Sequence, residues 1–250
     1  VKISIITVVL NNVENIEECI KSVLDQTYKN IEYIIIDGGS TDGSIDIIRN
    51  YGDKIAYWIS EPDQGIYDAL NKGIRMARGD VIGILHSDDL FADNFVVETV
   101  VNCFFRNGVD SCYGDLVYVS RDDTQKVARY WKADEFKREK FKFGWMPPHP
   151  TFFVKRIMYE RYGLFNLAMG TAADYELMLR FLFKHRISTI YIPKILVKMR
   201  IGGKSNKALK NRIIANRNDV KAWEVNGLKP PMFLRLMKPL RKLPQFLQRP

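Results

Sequence analysis

Acidic side chains close three successive apolar runs in the first 90 residues of this 250-residue chain. Ile31–Ile36 runs into Asp37, Ile55–Ile59 into Glu61 and Asp63, and Val81–Leu85 into Asp88 and Asp89. One acid after a strand is ordinary, because Asp favours turns and helix caps. Three in a row, at the ends of neighbouring parallel strands, would lie along one sheet edge, where open α/β sheets bind their ligands. Crowded carboxylates repel one another and so favour a cation. Oxygen ligands without a His/Cys set point to Mg²⁺ or Mn²⁺, which takes further ligands from water and substrate phosphates. The chemistry expected is the holding of a phosphorylated substrate through a metal bridge. Neither G-x-x-x-x-G-K-[ST] nor G-x-G-x-x-G occurs, which argues against a P-loop hydrolase and an ordinary dinucleotide dehydrogenase.

The elements that would position these acids follow the alternation of βαβ units. Strands are expected at Ile3–Leu10, Ile31–Ile36, Ile55–Ile59 and Val81–Leu85. Between the first two, Ile16, Ile20, Val23 and Leu24 recur at helical spacing, with Asn12 or Asn15 as cap. Further helices are expected over Ser44–Asn50 and about Gly65–Ala77, giving a parallel sheet covered on both faces. Beyond Asp93 an apolar-faced helix carries Phe95, Val96, Val100 and Phe104. Strands at Ser111–Ser120 and Lys126–Trp131 follow, then a Pro- and aromatic-rich loop from Phe143 to Pro150. Ala172–His185 reads as a helix, Thr189–Val197 as a strand, Gly202–Gly203 as a turn and Asn206–Val225 as a basic helix.

The formal charge of +9 is unevenly spread. From Lys198 onward 14 Lys and Arg face only Asp219 and Glu224, so the preceding body is slightly acidic and the tail strongly basic. Apolar runs are strand-sized, far short of the ~20 residues of a membrane span. The three cysteines (Cys19, Cys103, Cys112) lack metal-ligand spacing and read as reduced, buried thiols of a cytoplasmic protein.

Several longer motifs agree in order and spacing over residues 1–205: "SIITVVLNN", "IEYIIIDGGSTDGS", "SEPDQGIYDALNKGIRMARGDVIGILHSDD" and "AADYELMLRF". In these the chain resembles bacterial family 2 glycosyltransferases of the GT-A fold, an α/β, Rossmann-like nucleotide-binding fold with a mainly parallel mixed sheet. The likeness is strongest to enzymes of polysaccharide, O-antigen and colanic-acid assembly. It implies a catalytic domain over 1–205 (a nucleotide-sugar half to about 120, an acceptor half over 121–205) and a basic helical extension over 206–250. It implies that Thr7 and Val9 line the nucleotide pocket. Asp37 would accept from the base, for uracil its N3–H, and Asp63 would sit near base or ribose. Asp88 would match the second acid of the Asp-x-Asp signature and hold the metal. Asp174, in "AADYE", would be the catalytic base of an inverting displacement. The chain departs from the family pattern at His86, which replaces the first acid and would bond ribose or a metal-bound water. Ala173 stands where many relatives carry a second acid. The donor implied is a nucleotide-diphosphate sugar, UDP-linked by preference, and the acceptor a lipid-linked or growing surface glycan.

Other residues carry two readings. His149, held between prolines in "PPHPTFF", is either structural or an acceptor-side residue. Trp145 either stacks on a sugar ring or packs. Asp42 reads as a helix cap, and Asp89 either as a carboxylate that supports the metal's ligands from behind or as a cap. Gly202–Ser205 is a turn or a mobile loop bringing Lys204 to the phosphates. In 229–250 apolar side chains interleave with Arg235, Lys238, Arg241 and Lys242. That pattern suits peripheral contact with an anionic membrane better than a solvated face or a nucleic-acid contact. Two rival functions differ in what they require. A sugar-1-phosphate nucleotidyltransferase needs a Gly-rich basic loop after the first strand, whereas "TVVLNNVEN" has no Gly, Lys or Arg. A catalytically impaired basic binding module would draw its support from His86.

Overall fold

The computed structural model describes residues 1–202, 218–232 and 234. The loop from Gly203 to Ser205, the start of the expected Asn206–Val225 helix and nearly all of the expected membrane segment 229–250 lie outside the described residues. Within them, 218–225 is helical.

The first half is four parallel strands: β1 (Ile3–Val9), β2 (Ile31–Asp37), β3 (Tyr57–Ser60) and β4 (Val81–Ile84). β1 is buried along its whole length, Ser4 and Thr7 included, with β2 on one side and β4 on the other; β3 lies outside β2. Alternation along a strand sends successive side chains to opposite faces. Accordingly Ile3, Ile5 and Val9 of β1, with Tyr33 and Ile35 of β2, pack under α1 (Ile16–Leu24). Ile6, Val8, Ile34 and Ile36 pack on the other face, under α3 (Ile66–Met76). α2 (Ser44–Asn50) closes the β2–β3 crossover and buries Ile48 beside α1. α3 lies very close to the sheet. A Cβ at Gly73 would stand 2.5 Å from Ile6 Cγ2, so only glycine permits this approach.

The sheet then continues in mixed sense. β5 (Asp89–Phe91) and α4 (Val96–Asn107) lead into the long β6 (Ser111–Val119) and its hairpin partner β7 (Val127–Trp131). β8 (Phe153–Lys155) is antiparallel to both β4 and the start of β6, and so joins the two halves into one sheet. β9 (Thr189–Arg200) runs parallel to β6 and antiparallel to β5, giving the order β3-β2-β1-β4-β8-β6-β9-β5. Between β8 and β9 come α5 (Arg156–Tyr162) and α6 (Ala173–Met178), the latter continued by a π-helical turn over Leu179–Lys184.

The sequence reading placed the parallel strands and most helices but not the joints. β5 and β8 have three residues each, too few to leave an alternating pattern, and α5 has seven. The third strand begins at Tyr57 because a single 3₁₀ turn over Gly52–Lys54 uses the chain before it. The expected helix Ala172–His185 changes pitch at Leu179. There Arg180 bonds Glu176 and the carbonyls of Gly163 and Leu164, and Glu176 also accepts from Asn226. Trp223 donates to the Tyr175 hydroxyl at 2.9 Å, so the 218–225 helix is fastened to α6 through buried polar contacts.

Candidate active site

The C-terminal ends of the parallel strands face the start of α6 across the α3 side of the sheet. His86, two residues past β4, extends to this side, and its ring lies edge-on to His149 with centroids 5.4 Å apart. His149 sits in the single 3₁₀ turn His149–Thr151, fixed by Pro148 and Pro150 on either side. Its Nδ1 is 3.3 Å from Asp174 Oδ2. Asp174 stands in the first turn of α6, where negative charge is favoured by the helix dipole. Its Oδ1 accepts from the backbone N–H of Tyr175 at 2.8 Å, which leaves Oδ2 for His149 and for solutes.

Electrostatics tie these groups together. Burial pushes His86 down to about 3, with His149 adding to the effect, so its ring is a neutral imidazole at physiological pH. Burial also lowers His149, while Asp174 and Asp88 pull it back toward the charged form. Asp88 and Asp174 therefore both act on His149, one from the strand ends and one from α6. Tyr67 of α3 is raised well above the ordinary phenol range, first by burial and then by the charge of Asp174. The Asp88 carboxylate makes no hydrogen bond to another described residue, but its backbone is held: Arg200 Nη1 donates to the Asp88 carbonyl at 2.9 Å and Nη2 reaches Glu18. Asp89 is fully buried in β5, and both its carboxylate oxygens lack a hydrogen-bond partner among the described residues. It faces the interior. No cluster of three or more His, Cys, Asp or Glu suited to a metal occurs among the described residues. Among the described residues just after β4, Asp88 offers a partly exposed carboxylate that bonds no other described residue. That donor set fits an ion that takes most of its ligands from diphosphate and water, as Mg²⁺ and Mn²⁺ do.

Four sequence expectations need correction, three of them for one reason. Thr7, Val9 and Asp37 share the strand parity that points to the α1 side. Thr7 is fully buried, with its hydroxyl accepting from Tyr33 at 3.1 Å and touching Cys19. Val9 is buried among Ile3, Ile5 and the α1 side chains. Neither side chain lines a nucleotide pocket. Asp37 is 0% exposed. Its Oδ2 accepts from the N–H groups of Gly39 (3.0 Å) and Ser40 (2.9 Å) and from the Ser60 hydroxyl (2.6 Å), and Oδ1 is buried without a partner among the described residues. Asp37 thus clamps the loop after β2 and is closed to a base. The fourth correction is Trp145: it packs against Phe141 and Tyr113 and spends its Nε1–H on the Ala133 carbonyl at 3.0 Å, a core residue with no free face for a sugar. Asp42, expected as a cap, accepts from Ser44 N–H at 3.0 Å and from Val13 N–H at 2.9 Å, joining the loops after β1 and β2.

On the other parity lie Leu10, which is 42% exposed, and Gly38. Asp63 approaches them from the loop after β3, its Oδ1 accepting from Gly65 N–H at 2.7 Å. Tyr67, Arg200 and the pair Leu10–Gly38 were missed as site residues. A count of strand parity from Ile36 would have found Gly38, whereas Arg200 carried no local signal.

Comparisons with known proteins bear on the family and the fold. A family model described as glycosyl transferase family 2 matches residues 4–164. The glycosyltransferase Rv1514c of Mycobacterium tuberculosis is 36% identical over 180 residues, covering 71% of this chain and 68% of that protein. Among solved structures, Staphylococcus aureus TarS 1-349 in complex with UDP-GlcNAc superposes with a TM-score of 0.69 at 15% identity, over 99% of this chain and 79% of that one. Another structure of S. aureus TarS is matched over 39% of its chain. The mannosyltransferase PcManGT of Pyrobaculum calidifontis, in complex with GDP-Man and Mn²⁺, gives 0.67 at 19% identity over 98% and 73%. At these identities the two structures establish likeness of fold.

Proposed function

The chain belongs to glycosyl transferase family 2, and on that premise we propose that it moves a sugar from a nucleotide-diphosphate donor to an acceptor hydroxyl with inversion, Asp174 serving as base. The observation that carries this reading is the convergence on His149 of Asp88 from the strand ends and Asp174 from α6. A donor diphosphate at the strand ends would meet Asp88, and a hydroxyl entering between the halves would meet Asp174. Asp174 takes the hydroxyl proton as the oxygen attacks the anomeric carbon, a role typically worth ~10²–10⁴-fold. His149 and Tyr67 hold the carboxylate in place. His86, being neutral, adds no negative charge beside the leaving group and offers an imidazole to ribose or water.

Asp88 would hold Mg²⁺ or Mn²⁺, which when bound would supply positive charge against the departing diphosphate. Support for the donor class comes from the fold neighbours, whose structures hold UDP-GlcNAc and GDP-Man. The acceptor we favour is a lipid-linked or growing surface glycan, with 229–250 resting on anionic lipid. No described helix is long and apolar enough to cross a membrane. The test of the core reading is donor hydrolysis. Purified chain with Mn²⁺ should slowly release nucleoside diphosphate from a nucleotide sugar, and Asp88→Ala should abolish the release. Activity unchanged in Asp88→Ala would remove Asp88 from the site.

A further inference from the structure

β9 carries more residues than the stretch of β6 it pairs with, and the surplus shapes a trough on the sheet. Between Gly114 and Leu116 of β6 the partner positions on β9 jump from Ile192 to Ile195 and then to Val197, so Lys194 falls outside the regular ladder. Bulges of this kind bend a strand and re-aim its side chains. Gly114 makes room for this one: a Cβ there would stand 2.5 Å from Leu196 Cγ and 2.8 Å from the Lys194 carbonyl oxygen. An open cavity of about 420 Å³ lies beside the bulge, between the β6–β7 hairpin and the end of β5. Asp63, Asp88, His149 and Asp174 do not line it, so it is distinct from the candidate active site. Val117, Val127 and Ile195 give it an aliphatic lining. Thr124 and Gln125, at the hairpin, bring a hydroxyl and an amide that bond no other described residue. Lys194, exposed, and Lys198, half-buried, bring two ammonium groups, and neither pairs with an acid among the described residues. Asp93 also lines the trough, but its Oδ1 accepts from Phe95 N–H at 2.8 Å at the start of α4, where the helix dipole offsets its charge.

We infer that this trough binds a carboxylate-bearing sugar unit of the glycan, away from the hydroxyl that reacts. The inference rests on the acceptor reading given above and narrows it to a glycan with acidic units. A pyranose lays its C–H face on the aliphatic lining, turns its hydroxyls to Gln125 and Thr124, and offers its carboxylate to the two lysines. An ammonium group only donates and a carboxylate only accepts, so the pair is matched in both charge and hydrogen bonding. A nucleobase fits less well, because no aromatic side chain among the described residues lines the trough for it to stack on. The chain's own C-terminal segment, rich in Lys and Arg, brings the wrong charge. Holding one unit of a glycan here raises the effective concentration of the others, and so of the end that reaches Asp174.

The experiment titrates the full chain, at low ionic strength, with trigalacturonate and with its methyl ester, which keeps the sugars and removes the charge. Methyl-resolved NMR reads both affinity and place. The wild type should bind the acid about five- to thirtyfold more tightly than the ester, the span of two exposed ion pairs, with shifts at the methyls of Val117, Val127 and Ile195. Lys194→Ala/Lys198→Ala should cut that preference to below about twofold. Should this variant fail to fold, Lys194→Gln/Lys198→Gln keeps most of each aliphatic stem and is read the same way. Arg241→Gln/Lys242→Gln removes as much charge from the C-terminal segment and should leave the preference within about twofold of the wild type. Equal binding of the two probes by the wild type overturns the inference, as do shifts confined to other methyls. So does a preference that survives in the folded lysine variant, or one lost equally in the C-terminal variant. Displacement of the acid by an equal concentration of inorganic phosphate also overturns it, since a bare anion would then suffice. The titration contains no donor and no metal. Its outcome bears on the trough, whereas donor hydrolysis bears on the transferase reading, so the two failures are told apart.

Discussion

Acid should destabilise this protein through His86, and the size of the effect follows from its burial. The folded imidazole is held down to about 3, whereas in the unfolded chain it titrates near 6.5. Above about pH 6.5 both states carry a neutral ring and His86 contributes no pH dependence. As pH falls below that value the unfolded chain gains a proton that the folded chain refuses, so stability is lost at about 1.4 kcal/mol per unit. Between pH 7.5 and 4.5 this amounts to at most ~2.7 kcal/mol, and to roughly 2 kcal/mol after allowing for the part of the ring that reaches solvent. His86→Asn removes the titrating group while keeping a compact polar side chain beside His149. Urea unfolding of both proteins at pH 7.5 and 4.5, without metal or nucleotide, gives the comparison. Carboxylates titrate in both proteins and cancel. The wild type should lose about 2 kcal/mol more than the variant over this range. Equal losses in the two would refute the reasoning, because they would mean that the His86 ring is hydrated or bonded in the native state.

Two further outcomes test the packing that frames the site. Gly73→Ala forces a methyl to within 2.5 Å of Ile6 Cγ2 and should cost about 1–3 kcal/mol of stability, read as a lower urea midpoint at unchanged slope. Trp145→Phe loses the bond to the Ala133 carbonyl and part of a buried aromatic cluster. Stability should drop by about 1–3 kcal/mol, while acceptor KM measured below the unfolding transition stays within about twofold.

The acids after the strands were legible in the sequence, but which face each one takes was not. Asp37 and Asp63 look equivalent on the page, since both follow an apolar strand and both precede a turn. Strand parity sends Asp37 under the loop and leaves Gly38 on the open face, and only the fold brings Asp63 over it. Thr7 and Val9 were misplaced by the same one-residue question. Asp174 and His149 were readable individually, from a motif and from flanking prolines, yet their 3.3 Å contact is made by β8 and the irregular 3₁₀ segments. Those segments lack periodicity and leave no trace in a hydrophobic pattern. Arg200 reaches the Asp88 carbonyl from 112 positions away. A long-range polar contact of that kind depends on the pairing of β5 with β9, which no local signal encodes.

Transfer by Asp174→Asn tests the central claim most directly. The substitution preserves shape and removes the charge that takes the proton. With donor, metal and a glycan acceptor, the nucleotide-sugar Kd should stay within about threefold while the rate of transfer falls ~10²–10⁴-fold. A variant that transfers sugar at the wild-type rate would contradict the account and move the base elsewhere.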